Sequence, residues 1–198
     1  MTRWNSTLCL LTLALAITLA LAMTWALPLA AAPVPEEDRL PIDLRRTTLV
    51  VRDIDASLKF YRDALGMKVI YDRDIRNPRD AASDEESTLA RRLVFLRAND
   101  DYVGVLGLLQ YRKPRKPALH QGLEPFTPGS SVLLFNAADL DSTFEKAAST
   151  LGVRVLSQPT LTTYPGYNGG PAIDVKVSVL TDPDGFVIEL NQVMSELR

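Results

Sequence analysis

The stretch DIDASLKFYRDALGMKVI, Asp53 to Ile70, decides the fold, because the chain writes it again as DLDSTFEKAASTLGVRVL, Asp139 to Leu156. The two copies align without a gap, 86 residues apart. Asp53/Asp139, Asp55/Asp141, Leu65/Leu151, Gly66/Gly152 and Val69/Val155 are identical, and Ile54/Leu140, Ser57/Thr143, Met67/Val153, Lys68/Arg154 and Ile70/Leu156 are conservative. A repeat on this scale sets the architecture before any single residue is read. In each copy an apolar strand (Thr48 to Val51; Val132 to Ala137) runs into an Asp. An Asp at that place accepts from the free amide groups of the first helical turn. Ile54, Leu58, Tyr61 and Leu65, then Leu140, Phe144, Ala147 and Leu151, fall at helical spacing and form one apolar face each. Gly66 and Gly152 stop the helices in a left-handed conformation that glycine adopts cheaply.

Outward from the repeat, the first module reads as a strand at Arg46 to Arg52, a helix at Asp55 to Leu65, a strand at Met67 to Tyr71, and a hairpin of Arg91 to Arg97 with Tyr102 to Gln110. Asp72 to Thr88 is dense in charge and reads as a surface loop. Arg112 to Gly129, with four prolines and four basic residues, reads as a linker between modules. The second module has strands at Ser131 to Ala137 and Val153 to Ser157, and a Gly/Pro/Tyr loop at Gln158 to Gly170. A strand follows in which Ile173, Val175, Val177 and Val179 share a face. The turn Thr181-Asp182-Pro183-Asp184-Gly185 leads into the last strand, Phe186 to Asn191. Each module is βαβββ.

The whole chain has 198 residues and a formal net charge of −2, which gives no broad basic field for nucleic acid. No Gly-rich phosphate loop, CxxC pair or HExxH occurs. Cys9 is the only cysteine and His120 the only histidine, so disulfides and a multi-histidine metal site are excluded by inventory. At the N-terminus, Arg3 precedes an apolar run from Leu8 to Leu27, then Ala30-Ala31-Ala32 and an acidic segment. This is the pattern of a secretory signal peptide over residues 1–32, or of a membrane anchor through residues 8–27 if uncleaved. Either reading places the domain on the exported side, periplasmic or extracellular. A Pro- and charge-rich linker, residues 33–43, leads to a domain over residues 44–193, with module one at 44–111, a linker at 112–129 and module two at 130–193.

The segments VVRDIDASLKFYRDALGMKV, DLDSTFEKAASTLGV and TDPDGFVIEL resemble the vicinal oxygen chelate superfamily, which includes glyoxalases, bleomycin-resistance proteins and extradiol dioxygenases. The resemblance implies an α+β fold of two βαβββ modules whose curved sheets enclose a cleft. It also implies a divalent metal held by His or Glu on four strands, and a homodimer. Carried onto this chain, the four ligand positions fall on Arg46, about Gly107, Val132 and Glu189. Only Glu189 is a donor of the right kind. One carboxylate does not hold Zn²⁺, Fe²⁺ or Mn²⁺, and an Arg repels a cation. The expectation is therefore no metal cofactor.

If those positions point inward, Arg46, Thr48 and Asn136 line a mostly apolar cleft with Glu189. Arg46 then grips an anionic or carbonyl group while Glu189, the one catalytic candidate, orients it; the alternative is a structural salt bridge between the two. His120 is a candidate acid or base, or an exposed linker residue. Tyr164, Tyr167 and Asn168 form a candidate lid or a plain surface turn. Three functions follow: a metal-free binder of a small, partly apolar molecule; a metal-dependent lyase, isomerase or dioxygenase acting on a small carbonyl or aromatic compound; and an exported module that binds a partner and no small ligand.

Overall fold

The computed structural model describes residues 36–117, 125–166 and 169–194. The N-terminal apolar segment, His120, Tyr167 and Asn168 lie outside the described residues. After a 3₁₀ turn at Glu36–Asp38, the first module runs β1 (Arg46–Val50), α1 (Ile54–Leu58), a π-helical continuation (Lys59–Ala64), β2 (Lys68–Asn77), β3 (Leu89–Arg97) and β4 (Val105–Lys113). The second runs β5 (Val132–Asn136), α2 (Leu140–Ala148), β6 (Arg154–Tyr164), β7 (Ile173–Thr181) and β8 (Val187–Val193). The two four-stranded sheets have the same order, β1-β4-β3-β2 and β5-β8-β7-β6, with the first pair of each parallel.

The repeated Asp residues cap as their position dictates. Asp53 accepts from the amides of Asp55 and Ala56, and Asp139 from that of Ser142. A second repeated device fixes each helix to its sheet. Gln110 on β4 accepts from Ile54 N at 3.2 Å and donates to Arg52 O at 2.9 Å. Gln192 on β8 does the same to Leu140 N and Ala138 O, both at 3.0 Å. The helix starts are thus satisfied twice over, by their own Asp and by a strand Gln.

One face of each sheet carries the helix. Leu106 and Leu108, Val94 and Leu96, Leu180, and Ile188 and Leu190 are buried there against Ile54, Leu58, Phe60, Tyr61, Leu140 and Phe144, in a single core that spans both modules. The opposite faces carry no helix. Val50 is 53% exposed and Leu134 54%, so these faces are open to solvent.

Four expectations change. The charged stretch after Tyr71 is strand as far as Asn77, because its charges are paired across the sheet: Arg92 bridges Asp72 and Asp55, and Arg112 bridges Asp74 and Asp84. Arg112 and Lys113 therefore end β4 rather than open a linker. The stretch after Ser157 is strand as far as Tyr164. Pro159 is tolerated because β6 is an edge strand and the register shifts between Ser157 and Thr160. Leu151 does not join the helix face; α2 ends at Ala148 and Leu151 is 88% exposed.

Candidate functional site

Strand register places the four family ligand positions on the open faces. β1 pairs Thr48 with Gly107, and β5 pairs Leu134 with Glu189. β3 and β7 complete the rows, Phe95 opposite Gly107 and Val179 opposite Glu189. Gly107 and Glu189 therefore occupy equivalent places. A Cβ at Gly107 would stand 2.6 Å from Thr48 Oγ1 and 3.2 Å from Thr48 Cβ, so a carboxylate could enter there only by displacing Thr48. Glu189 is half-buried and accepts from Asn191 Nδ2 at 2.8 Å. Asn191, in register with Asn136, keeps its Oδ1 buried and unpaired. Among the described residues no three His, Cys, Asp or Glu side chains cluster closely enough to hold a metal ion. The donor set at the four positions does not fit a divalent metal.

Arg46 and Glu189 do not pair with each other among the described contacts. The Arg46 guanidinium instead sits over the Phe95 ring, 4.1 Å from its centroid. To reach β3 it crosses β4, and the missing side chain at Gly107, opposite Phe95, leaves the room. Phe95 stacks on Tyr71 at 4.8 Å with 23° between the planes, and Arg73 stands 6.0 Å from the Tyr71 centroid. The four side chains form a row, Arg46-Phe95-Tyr71-Arg73, across the open face of the first sheet. Arg91 lies on the same face, in register with Tyr111 and Ile75, with its Nε buried and unpaired. An apolar lining is thus true of the second sheet, with Val132, Leu134, Val177 and Val179, and not of the first.

The remaining candidates scatter. Thr48 and Asn136 are exposed on the open faces of β1 and β5. Tyr164 ends β6, 43% exposed, rather than standing in a lid loop. Sequence reading passed over Phe95, Tyr71, Arg73 and Arg91. The signal was present in β3, where alternation puts Arg91, Leu93 and Phe95 on one face.

The seam between modules holds a second polar group and a hollow. Tyr61 OH donates to Asp182 Oδ2 at 2.8 Å, both residues fully buried. Burial, then the neighbouring Asp182, pushes the Tyr61 phenol up. Burial also holds the Asp182 carboxyl above its usual range, although it accepts from Tyr61 and two backbone amides. Beside them Arg52 Nε bonds Asp184 Oδ1 at 2.7 Å, and Ser57 Oγ lies 3.5 Å from Asp184 Oδ2. At the repeat-related place on the other side of the seam, Arg52 is replaced by Ala138 and Ser57 by Thr143. With the long side chain gone, a cavity of about 250 Å³ remains, lined by Ala138, Thr143, Met67, Asn99 and Phe135 among others.

Paired βαβββ modules with helices on one face and open sheets on the other define a glyoxalase-type domain. The family model described as Glyoxalase/Bleomycin resistance protein/Dioxygenase superfamily matches residues 43–190, and the chain belongs to that superfamily. A glyoxalase family protein from Bacillus cereus shares the fold with a TM-score of 0.61 at 11% identity, over 80% of this chain and 98% of that one. The trypanothione-dependent glyoxalase I of Leishmania major is 24% identical over 76% of this chain and 86% of its own, with a TM-score of 0.49. A glyoxalase I variant from Zea mays is 24% identical with a TM-score of 0.48, over 75% of this chain; the match spans only 46% of that protein. No curated protein matches the sequence.

Proposed function

We propose that this domain binds a small, partly apolar molecule on its open sheet faces without a divalent metal, with Arg46 and Glu189 as its principal polar contacts. The observation that carries this reading is the donor set at the four ligand positions: Arg46, Gly107, Val132 and Glu189, one carboxylate and one cation. A guanidinium there repels a metal ion but receives an anionic or carbonyl oxygen through fixed, planar donors. Glu189, already holding one amide donor from Asn191, accepts from a ligand hydroxyl or amine. The fold alone does not supply an activity, and no catalytic step is assigned to Glu189.

The test is elemental analysis of the full chain after exposure to Zn²⁺, Fe²⁺, Mn²⁺ and Ni²⁺ and removal of unbound ions. Far less than one metal per chain is expected. Near-stoichiometric metal that disappears in Glu189→Gln would overturn the reading. It would favour a metal-dependent lyase, isomerase or dioxygenase acting on a small carbonyl or aromatic compound.

A further inference from the structure

The first sheet sorts its charges by face. Its strands hold only two carboxylates, Asp72 and Asp74, and both point to the helix side, where Arg92, Arg76 and Arg112 pair with them. No strand carboxylate projects to the open face, and Arg97 at the end of β3 is paired by Asp101 from the following loop. Arg46, Arg73 and Arg91 project there, and among the described residues none of the three forms an ion pair. Two of them rest on the stacked rings of Phe95 and Tyr71 instead. A cation held over a ring face spends none of its N–H donors on that contact, so the donors of Arg46 stay available for an anion, while Arg73 already gives Nη1 to Asp72 O at 2.9 Å. The faces of both rings are taken up within the row, but their edges stay open, Tyr71 at 38% exposure and Phe95 half-buried, so a flat molecule laid across them meets both rings edge to face.

We propose that the ligand of this face is a planar aromatic anion, its ring laid across the open edges of Phe95 and Tyr71 and its carboxylate or equivalent acid group bound by Arg46. This names the ligand class of the metal-free site above and rests on that reading. The arrangement recognises two properties together. An apolar ring without charge leaves the Arg46 guanidinium hydrated, and an aliphatic acid gives the ring edges no aromatic face to meet.

The experiment compares three probes by isothermal titration against the full chain: 2-naphthoate, its uncharged analogue 2-naphthalenemethanol, and the non-aromatic acid cyclohexanecarboxylate. 2-Naphthoate is expected to bind at least about ten-fold more tightly than 2-naphthalenemethanol, the size set by one charge-assisted hydrogen bond, and several-fold more tightly than cyclohexanecarboxylate through the ring contact. Its affinity should fall as salt is raised from about 50 to about 500 mM, since the cations are solvent-accessible. Arg46→Ala should remove the preference for the charged probe, and Phe95→Leu the preference for the aromatic one. Both variants should keep the wild-type melting transition within a few degrees, because Arg46 is exposed and the Phe95 change retains apolar volume. Equal binding of 2-naphthoate and 2-naphthalenemethanol, unaffected by Arg46→Ala, would overturn the anion assignment and leave the metal-free binder standing. No binding of 2-naphthoate would overturn the ligand class. Metal-dependent binding of it would overturn the binder reading as well.

Discussion

Asp182→Ala should destabilise the domain severely, while Asp182→Asn should not. The Asp182 carboxylate accepts from Tyr61 OH at 2.8 Å and from the amides of Asp184 and Phe186, each at 2.9 Å. Alanine would leave three donors short of a partner in a place where Asp182 is 1% exposed. With each unpaired buried group costing about 1–3 kcal/mol, the loss should be on the order of 3–5 kcal/mol. Asparagine keeps the acceptor for both amides, and its Nδ2 can donate to a Tyr61 oxygen turned to accept. It also removes the buried charge. Burial raises the folded-state pKa of Asp182 above its unfolded value. The folded state therefore holds the proton more tightly. That contribution to stability is complete below the unfolded carboxylate pKa and is lost as pH rises through the folded one. Asp182→Asn, which cannot lose it, should gain on the wild type as pH rises over that window. Urea unfolding of the three proteins at several pH values measures this. Equal damage from the two substitutions at neutral pH would mean that the seam needs the negative charge itself.

The second large effect separates neighbours on one strand. Ile188 is fully buried on the helix face of β8, while Glu189 faces the open side. Ile188→Ala should cost about 2–5 kcal/mol through lost burial and the cavity left behind. Glu189→Gln should stay within about 0.5 kcal/mol of wild type, since it keeps an acceptor for Asn191 and lies outside the core. Ligand binding should show the opposite order, with Glu189→Gln weakened and Ile188→Ala, where folded, close to normal. Denaturation midpoints together with a titration of 6-hydroxy-2-naphthoate, whose hydroxyl can donate to Glu189, decide this. If Glu189→Gln unfolds the domain as readily as Ile188→Ala, Glu189 is a structural group and its proposed role falls.

The repeat made most of the architecture legible. Two Asp caps, two apolar helix faces and two glycine stops, each in one order, permit little besides paired βαβββ modules, and local chemistry of this kind depends only on near neighbours in sequence. Strand ends were harder to read. Asp72 to Asn77 carries enough charge to pass for a loop, and only the partners Arg92, Arg112 and Asp84, brought in from distant positions, make it a strand. Pro159 similarly signals a break until β6 is known to be an edge.

For the site, the sequence determined the identity of the four ligand positions, because they lie at fixed steps from the caps and from the final strand motif. Tertiary structure decided what they do. Arg46 was expected to face Glu189, yet it rests on Phe95, a residue about fifty positions away in the chain. Which ring lies beneath a guanidinium depends on strand order, and strand order places β4, with its Gly107 gap, between β1 and β3. The single acidic pair of the first sheet was visible as two Asp residues, but not that both turn to the helix side and leave the open face cationic. Alternation assigns residues to two faces; only packing against α1 shows which of the faces is the core.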